Sequence, residues 1–269
     1  MSEPDYHLLG TYTRYSSWTA RVEAVLEYFD ISYTTKKIPL HQAKTHSPSS
    51  LIPLLTSRTH KITITDSLAI VEYLAEQNPQ KNLWPADPAL RALARSATAE
   101  MHSGFATLRN TYHTNFVARY TGDIPVSEAA RREVKRVLRI WDTARKVTKE
   151  RLGQDGDEDE GFLFGKFSIA DAWFWPVLWR IRSYNLPLDD ATPDALKWME
   201  KMWSDPKIRK LIHGYHRQAE DPATRIEKYD GLFAEYGVGY STFPEDWTFT
   251  APNSAPGSGA EAQAAQSSF

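Results

Sequence analysis

The sequence predicts an α/β domain followed by an all-α domain. Three observations lead to this fold class: β-rich segments mix with helical patterns up to Glu76, a proline-rich stretch follows, and helical periodicity dominates after Pro88. The expected division is residues 1–79 for the α/β domain, 80–88 for a linker, 89–239 for the helical domain and 240–269 for an extended, partly disordered tail.

The first domain has the element order β-α-β followed by β-β-α. Val22, Val25, Leu26 and Phe29 recur at spacings of three and four, which is the period of an amphipathic helix. Strands are expected over residues 6–12, 31–38, 51–56 and 61–65, and helices over 18–29 and 66–76.

The second domain is expected to consist of helices after a linker that contains Pro79, Pro85 and Pro88, because proline interrupts helical hydrogen bonding. One apolar stripe, from Leu90 to Leu108, is expected to lie on a single long helix. Further helices are predicted over 127–152, 167–184, 192–203, 206–219 and 222–236, with an acidic, solvent-exposed loop at 153–161.

Composition restricts the function. The formal charge is −2 without a basic stripe, so neither a nucleic acid nor a membrane surface is expected as a partner. The polar, acidic N-terminus does not resemble a secretory signal, which favours a cytoplasmic protein. The chain has no cysteine, so it has no thiolate metal site and no cysteine nucleophile, and any thiol chemistry must use a small-molecule thiol.

Ser16 and Ser17 follow the first strand and begin the first helix. A helix N-terminus presents unpaired N–H groups and a positive dipole end, both of which favour an anion such as a thiolate. A serine hydroxyl adds one hydrogen bond and lowers the thiol pKa. Serine is also a common helix cap, and on these residues alone an ordinary cap is the better-supported interpretation.

Two further motifs have both a structural and a ligand-binding interpretation. Pro53 stands within an apolar strand, either as a cis-proline that turns the preceding backbone toward a ligand or as a trans-proline on an edge. Asp66 and Ser67 open the next helix: Ser67 is expected to cap it, and Asp66 offers a counter-charge for an ammonium group, although a plain cap explains both.

Taken together, the motifs from about Tyr6 to Leu211 resemble the glutathione transferase superfamily, in its serine-type, zeta-like or bacterial SSWSxR group. YSSWTARV (15–22) resembles the zeta motif SSCxxRV and the bacterial form SSWSxR. SPSSLIPLL (47–55) resembles the cis-proline segment SPxGKVPVL, and ITDSLAIVEYLAE (64–76) resembles the helix that holds the γ-glutamyl group. In the helical half, EMHSGFATLRN (100–110) and the segment 161–188 resemble the same bacterial group.

The resemblance implies a thioredoxin-like first domain, glutathione as co-substrate, no metal and a homodimer. It assigns the thiol to Ser16, with Ser17 as neighbour or substitute, the cysteinyl backbone to Ile52 before Pro53, and the γ-glutamyl end to Asp66 and Ser67. The glutathione-binding residues expected in this way are Ser16, Ser17, Trp18, Lys37, His41, Ile52, Pro53, Asp66 and Ser67.

Three departures from the family pattern affect these assignments. Leu51 and Ser50 replace the usual Lys and Gly, so Lys37, His41 or Lys44 is expected to assist the glycyl end. Trp18 occupies the cysteine position of the zeta class, which weakens the case for zeta-type isomerisation of maleylacetoacetate.

The second substrate is expected between the two domains. Candidate contacts are Trp18, His102, Phe105, Arg109, Tyr112 and His113. His102 is a general base or a packed helix histidine, and Arg109 holds an acidic or phenolic substrate or forms an interdomain salt bridge. Asp171, in the box Ser168-x-x-Asp171, is expected to be structural.

Three functions therefore compete. The leading hypothesis is a glutathione transferase that uses Ser16 or Ser17 to stabilise a glutathione thiolate, which attacks a hydrophobic or aromatic electrophile. The second is a glutathione-dependent cis–trans isomerase, and the third is a non-catalytic binding or regulatory protein with the same fold.

Overall fold

The structure is a computed structural model that describes residues 3–153 and 159–251. The first domain contains a four-stranded sheet in the order β2-β1-β3-β4. β1 is parallel to β2 and antiparallel to β3, and β4 is antiparallel to β3. The elements are β1 Tyr6–Gly10, α1 Ser17–Tyr28, β2 Tyr33–Lys37, α2 Ala43–His46, β3 Leu54–Ser57, β4 Ile62–Ile64 and α3 Ser67–Gln77. This is the predicted thioredoxin-like arrangement of strands and helices.

Helix α1 lies at the centre of the packing. Val22, Val25 and Leu26 are fully buried, and they join Leu8 and Ile70 from the sheet and from α3 in one hydrophobic cluster. The cluster continues into the second domain, where α1 packs against α7 (Ile169–Tyr184). The N-terminus of α1 is thereby held at the junction of the two domains.

The second domain is helical, as predicted. Its remaining helices are α4 Pro88–Ser103, α5 Ala106–Thr111, α6 Glu128–Leu152, α8 Pro193–Ser204, α9 Pro206–Glu220 and α10 Glu227–Asp230. Asp171, in the first turn of α7, is a buried acceptor for the N–H groups of Leu163 and Ser168 and for the indole of Trp198, which fits the structural role expected of it. None of the helices in residues 3–153 and 159–251 is both long enough and apolar enough to cross a membrane.

The expected single helix over Leu90–Leu108 is wrong. The chain leaves the helix at Gly104, which is extended, and Phe105 adopts a left-handed conformation with φ 56°. The apolar stripe does not reveal this break, because Met101 before the turn, Phe105 within it and Leu108 after it are all buried.

The expected helix over residues 222–236 is also wrong. The segment forms two 3₁₀ turns, Pro222–Thr224 and Ala234–Tyr236, on either side of the single turn of α10. The N–H of Ile226 bonds to the hydroxyl of Tyr15 in the first domain, and Phe233 has a positive φ of 63°. Tertiary contacts therefore override the helical pattern.

A second, two-stranded sheet was not predicted. β5 (Ala118–Thr121) pairs with β6 (Gly239–Thr242), and the chain beyond β6 buries Phe243, Phe249 and Ala251. The start of the expected tail is therefore packed against the helical domain. The rest of the expected tail, 252–269, for which partial disorder was predicted, and residues 154–158 of the acidic loop lie outside the described residues.

Candidate functional site

The two serines at the start of α1 differ in their hydrogen bonding. Ser16 is the N-cap: its hydroxyl accepts from the N–H of Thr19 at 3.2 Å and donates to Thr19 Oγ1 at 3.0 Å. The Ser17 side chain, which is 7% exposed, has no hydrogen-bond partner within the described part of the chain. Ser17 therefore has a free hydroxyl beside the unpaired N–H groups of the first helical turn.

Both serines line a cavity of about 250 Å³ at the junction of the domains. Ile52 contributes from the loop before β3, and its peptide bond to Pro53 is cis, as one of the two predicted alternatives required. Trp18, Arg109 and His113, which were predicted as substrate contacts, line the same cavity. The cavity thus combines predicted residues from both domains.

Arginines without acidic partners surround one side of this cavity. Arg180 is 3% exposed, and its Nε and Nη1 donate to the carbonyl oxygens of Tyr112 and Pro176 at 2.8 and 3.0 Å. Burial lowers the pKa of Arg180 to about 10. Arg109 donates through Nε to the Gly104 carbonyl at 2.9 Å. Neither pairs with a carboxylate among residues 3–153 and 159–251, so the cavity carries uncompensated positive charge that suits an anion.

A third arginine, which is not among the cavity-lining residues, packs against Trp18. The guanidinium carbon of Arg21 lies 4.5 Å from the Trp18 ring centre, and that of Arg109 lies 5.4 Å from it. Arg21 is fully buried, and burial lowers its pKa well below the ordinary value. Its Nη1 and Nη2 atoms have no hydrogen-bond partner in the described residues, which adds to the positive potential behind Trp18.

His102 and Asp66 form a contact between the domains beside this cavity. His102 Nε2 lies 3.3 Å from Asp66 Oδ2, and the His102 ring packs edge-on against Trp18. Asp66 Oδ1 accepts from the N–H groups of Leu68 and Ala69 at 2.8 and 3.0 Å, so Asp66 caps α3. The prediction that Ser67 caps this helix is wrong: Ser67 is its first residue and is buried.

Eight of the predicted site residues are not among those that line the cavity. Four of them are Pro53, Asp66, Ser67 and His102, and the other four are Lys37, His41, Phe105 and Tyr112. Lys37 faces away, because its ammonium group lies 3.1 Å from the buried carboxylate of Glu23. His41 is exposed on a 3₁₀ turn. Phe105 is core, and Tyr112 is fully buried with its hydroxyl donating to the Pro125 carbonyl at 2.8 Å.

The structure adds cavity residues that the sequence did not suggest. The Tyr229 ring stacks on His113 at 5.1 Å and contacts Tyr15 at 5.6 Å. The pKa of His113 is lowered by burial and, secondarily, by the charges of Arg180 and Lys228. Arg180 had one visible signal, a charge within a tryptophan-rich helix, whereas nothing in the sequence marked Tyr229.

The described residues contain no group of three or more His, Asp or Glu side chains placed to hold a metal ion. The candidate site combines a helix N-terminus with a serine hydroxyl that has no partner in the described residues, the segment before a cis-proline, and arginines without carboxylate partners.

Comparison with known proteins shows which family has this arrangement of domains. Residues 15–77 match the family model for the glutathione S-transferase N-terminal domain, and residues 124–201 match that for the C-terminal domain. Together the two ranges make up just over half of the chain. Fold and site define a two-domain protein of the glutathione transferase fold, and the chain belongs to the glutathione S-transferase superfamily.

The individual relatives share only part of the sequence or have low sequence identity. A probable maleylacetoacetate isomerase of Caenorhabditis elegans is 36% identical over 108 residues, which are 38% of this chain and 50% of that protein. The glutathione S-transferase-like protein tpcF of Aspergillus fumigatus is 26% identical over 227 residues, 77% of this chain and 96% of that protein. The chain spans about half the length of the C. elegans and Dictyostelium discoideum isomerases that it matches.

A solved structure supports the fold. A glutathione transferase homolog from Burkholderia, crystallised with bound glutathione, superposes with a TM-score of 0.57 at 21% identity, covering 79% of this chain and 98% of that chain. At this identity the likeness establishes the fold alone.

Proposed function

We propose that this chain binds glutathione and stabilises its thiolate at the N-terminus of α1 for attack on an electrophile that carries an anionic group. The observation that carries the proposal is the shared cavity: Ser17, Ile52, and the two arginines without carboxylate partners, Arg109 and Arg180, all line it.

The chemistry follows from these groups. The thiol of glutathione loses its proton to solvent, and the Ser17 hydroxyl and the first N–H groups of α1 stabilise the thiolate. The thiolate sulfur then donates an electron pair to the electrophilic carbon and forms a C–S bond, while a leaving group departs with its bonding pair or the adduct takes up a proton. Ser17, rather than Ser16, is the donor in this proposal because the Ser16 hydroxyl is engaged with Thr19.

The remaining parts of glutathione are assigned by the family pattern. Ile52 pairs through its backbone with the cysteinyl part, and Asp66 and Ser67 at the start of α3 receive the γ-glutamyl end. His41 and Lys44 are the remaining candidates for the glycyl carboxylate, since Lys37 is held by Glu23.

The electrophile lies on the opposite side of the cavity. Arg109 and Arg180 bind its anionic group, and the rings of Trp18, His113 and Tyr229 enclose a flat or conjugated body.

A second candidate is cis–trans isomerisation of a conjugated acid. It is favoured by the relative named as a probable maleylacetoacetate isomerase and by the arginines, which suit a carboxylate. In this reaction the thiolate adds to the activated alkene, the new single bond rotates, and the thiolate is expelled, so glutathione is regenerated. A binding protein without turnover is the remaining alternative.

The experiment combines binding with turnover. Glutathione is titrated into the pure protein by calorimetry, and turnover is measured with general electrophiles and with a cis-configured conjugated acid, for wild type, Ser16→Ala and Ser17→Ala. We expect binding, and a loss of kcat of roughly a hundredfold in Ser17→Ala, as for removal of one donor to a developing anion.

Each of the other outcomes distinguishes between the proposed functions or tests the role of the serines. Absence of glutathione binding overturns both enzymatic functions. Binding without turnover on any substrate supports the binding protein, turnover unaffected by either substitution overturns the serine mechanism, and isomerisation without a stable adduct selects the isomerase.

We further propose a homodimer, as the family resemblance implied, and a cytoplasmic location, as the polar, acidic N-terminus suggested. Leu93 on α4 and Ile62 on β4 are both 41% exposed and offer apolar contact area. Light scattering after size exclusion tests the proposed dimer, and a measured mass of one chain contradicts it.

A further inference from the structure

The loop that ends at Ser16, immediately before Ser17 and α1, is anchored outside its own domain. Residues 12–16, which we call the serine loop, contact Gln218 on α9. Gln218 Nε2 donates to Thr13 Oγ1 at 2.6 Å, and Gln218 Oε1 accepts from the N–H of Arg14 at 3.3 Å. One side-chain amide therefore bridges two successive residues of the loop.

The segment after Gln218 holds the next loop residues. Arg14 Nη2 donates to Thr224 Oγ1 at 3.2 Å, and the Thr224 hydroxyl donates back to the Gln218 carbonyl at 2.6 Å. The N–H of Ile226 donates to the Tyr15 hydroxyl at 3.2 Å. Thr13, Arg14 and Thr224 are all at most 5% exposed, so these bonds are shielded from water.

The same segment forms a wall of the proposed substrate cavity. Ile226 and Tyr229 line it, and the Tyr229 ring contacts Tyr15 in the serine loop. The contacts from Gln218 to Tyr229 thus connect the substrate wall to the residues immediately before Ser16 and Ser17.

We propose that Gln218 is a positioning residue that fixes the serine loop, and hence the direction of the Ser17 hydroxyl and the α1 N-terminus, against the substrate wall. The proposal rests on the proposed function, in which Ser17 donates to the glutathione sulfur. Gln218 acts through Thr13 and Arg14, and contact of a substrate with Tyr229 stabilises the same arrangement.

The role predicts a specific kinetic pattern. Loss of the bridge misdirects the donor to the sulfur without removing the groups proposed to hold the peptide parts of glutathione. The pKa of the bound thiol should therefore rise and kcat should fall, whereas the dissociation constant of glutathione should change little. A purely structural role would lower stability without moving the thiol pKa.

The test uses Gln218→Met, which keeps the side-chain length and removes both hydrogen bonds. We expect a tenfold or larger loss of kcat, a raised thiol pKa and a glutathione affinity within about threefold of wild type, since one misplaced donor costs on the order of tenfold in rate. Gln218→Glu retains the acceptor for the Arg14 N–H and should give an intermediate loss. Arg217→Ala, at an exposed neighbour on α9, is the matched control and should behave as wild type.

Thr13→Val removes the same bond from the loop side and serves if Gln218→Met does not fold. An unchanged thiol pKa and kcat in folded Gln218→Met, or in folded Thr13→Val, overturns the positioning role.

Hydrogen exchange of the ligand-free protein separates this proposal from the proposed function. Faster exchange of the amides over residues 12–17 in Gln218→Met, but not in Arg217→Ala, is expected whether or not glutathione binds. If wild type fails to bind glutathione, the proposed function fails and only the anchoring of the loop stands; unchanged exchange overturns the anchoring itself.

Discussion

Ser16 and Ser17 are neighbours with different surroundings. The Ser16 hydroxyl closes the first turn of α1, and the Ser17 hydroxyl is left without a partner in the described chain. The family motif assigned the thiol to Ser16, and only the geometry of Thr19 separates the two. The motif narrows the proposed donor to two adjacent serines, and the hydrogen-bond pattern is the reason for proposing Ser17.

Arg109 provides a test of substrate charge. Arg109→Met should raise KM by about ten- to a hundredfold for an electrophile that bears a carboxylate, because a hydrogen bond to a charged group contributes roughly 1.5–3 kcal/mol. The matched uncharged ester should be little affected. Steady-state kinetics on this pair of substrates decides: an equal effect on both contradicts a role in binding the anion.

The burial of His113 leads us to expect that the protein loses stability as the pH falls. Its pKa in the folded protein is lowered from the ordinary 6.5, chiefly by burial. Between 6.5 and that lower value the unfolded chain binds more protons, so stability is retained above pH 6.5 and falls as the pH decreases through this window.

Urea unfolding at pH 7.5 and 5.0 measures the effect. The stability difference between the two pH values should be smaller in His113→Gln than in wild type, although His216, whose pKa burial also lowers, retains part of it. Identical pH dependence in both proteins contradicts the assignment.

At the scale of elements, β1 and α1 approach closely at Gly10. A Cβ atom there would lie 2.3 Å from Thr19 Cγ2, and Thr19 is the residue that holds the Ser16 hydroxyl. Gly10→Ala should lower the free energy of unfolding by about 1–3 kcal/mol through overpacking, and it should also reduce activity.

Gly214 on α9 is the matched control, because a Cβ atom there meets nothing within 4 Å. Gly214→Ala should be neutral or stabilising by up to about 1 kcal/mol. Chemical denaturation compares the two variants, and equal destabilisation contradicts the argument.

The elements differ in how well the sequence predicts them. α1 and α3 follow from local periodicity and capping residues, so they lie close to their expected bounds. The end of α4 at Gly104 does not follow from the local pattern, because Phe105 stays buried through the break. The turns over 222–236 do not follow from it either, because the N–H of Ile226 bonds to the Tyr15 hydroxyl of the other domain. Local patterns report burial, and they miss a change of direction that preserves it.

At the scale of the whole molecule, the segment after β6 packs against the helical domain. The guanidinium of Arg182, buried in α7, lies between 4.5 and 5.2 Å from the ring centres of Phe116, Trp203, Phe243 and Trp247. Burial lowers its pKa to about 9. Cation–π contacts compensate part of the cost of this buried charge.

Phe243→Ala removes one wall of this cluster. It should lower the free energy of unfolding by about 3–5 kcal/mol, because a buried aromatic side chain is lost. Tyr236→Ala, at a side chain 56% exposed, should change it by less than about 0.5 kcal/mol. Thermal or urea unfolding measures both, and a Phe243→Ala variant as stable as wild type shows that the segment does not stabilise the fold.

The candidate site likewise combines residues that local sequence motifs suggest with residues that only the packing of the whole molecule brings together. Ser17 and Ile52 line the cavity and belong to local motifs of the first domain, so the sequence could suggest them. Arg180 and Tyr229 join the cavity only through packing of α7 and of the segment after α9, which leaves no local pattern. Lys37 was expected at the site and is held away from it by Glu23, a contact that no spacing in the sequence indicates.

The most direct test is the pKa of the glutathione thiol in the complex, followed by the ultraviolet absorption of the thiolate as a function of pH. We expect wild type to lower this pKa by about one unit or more relative to free glutathione, which corresponds to roughly 1.4 kcal/mol. Ser17→Ala should return it most of the way, and Ser16→Ala should shift it less. A thiol pKa in the wild-type complex equal to that of free glutathione, or one unchanged in Ser17→Ala, would contradict the account.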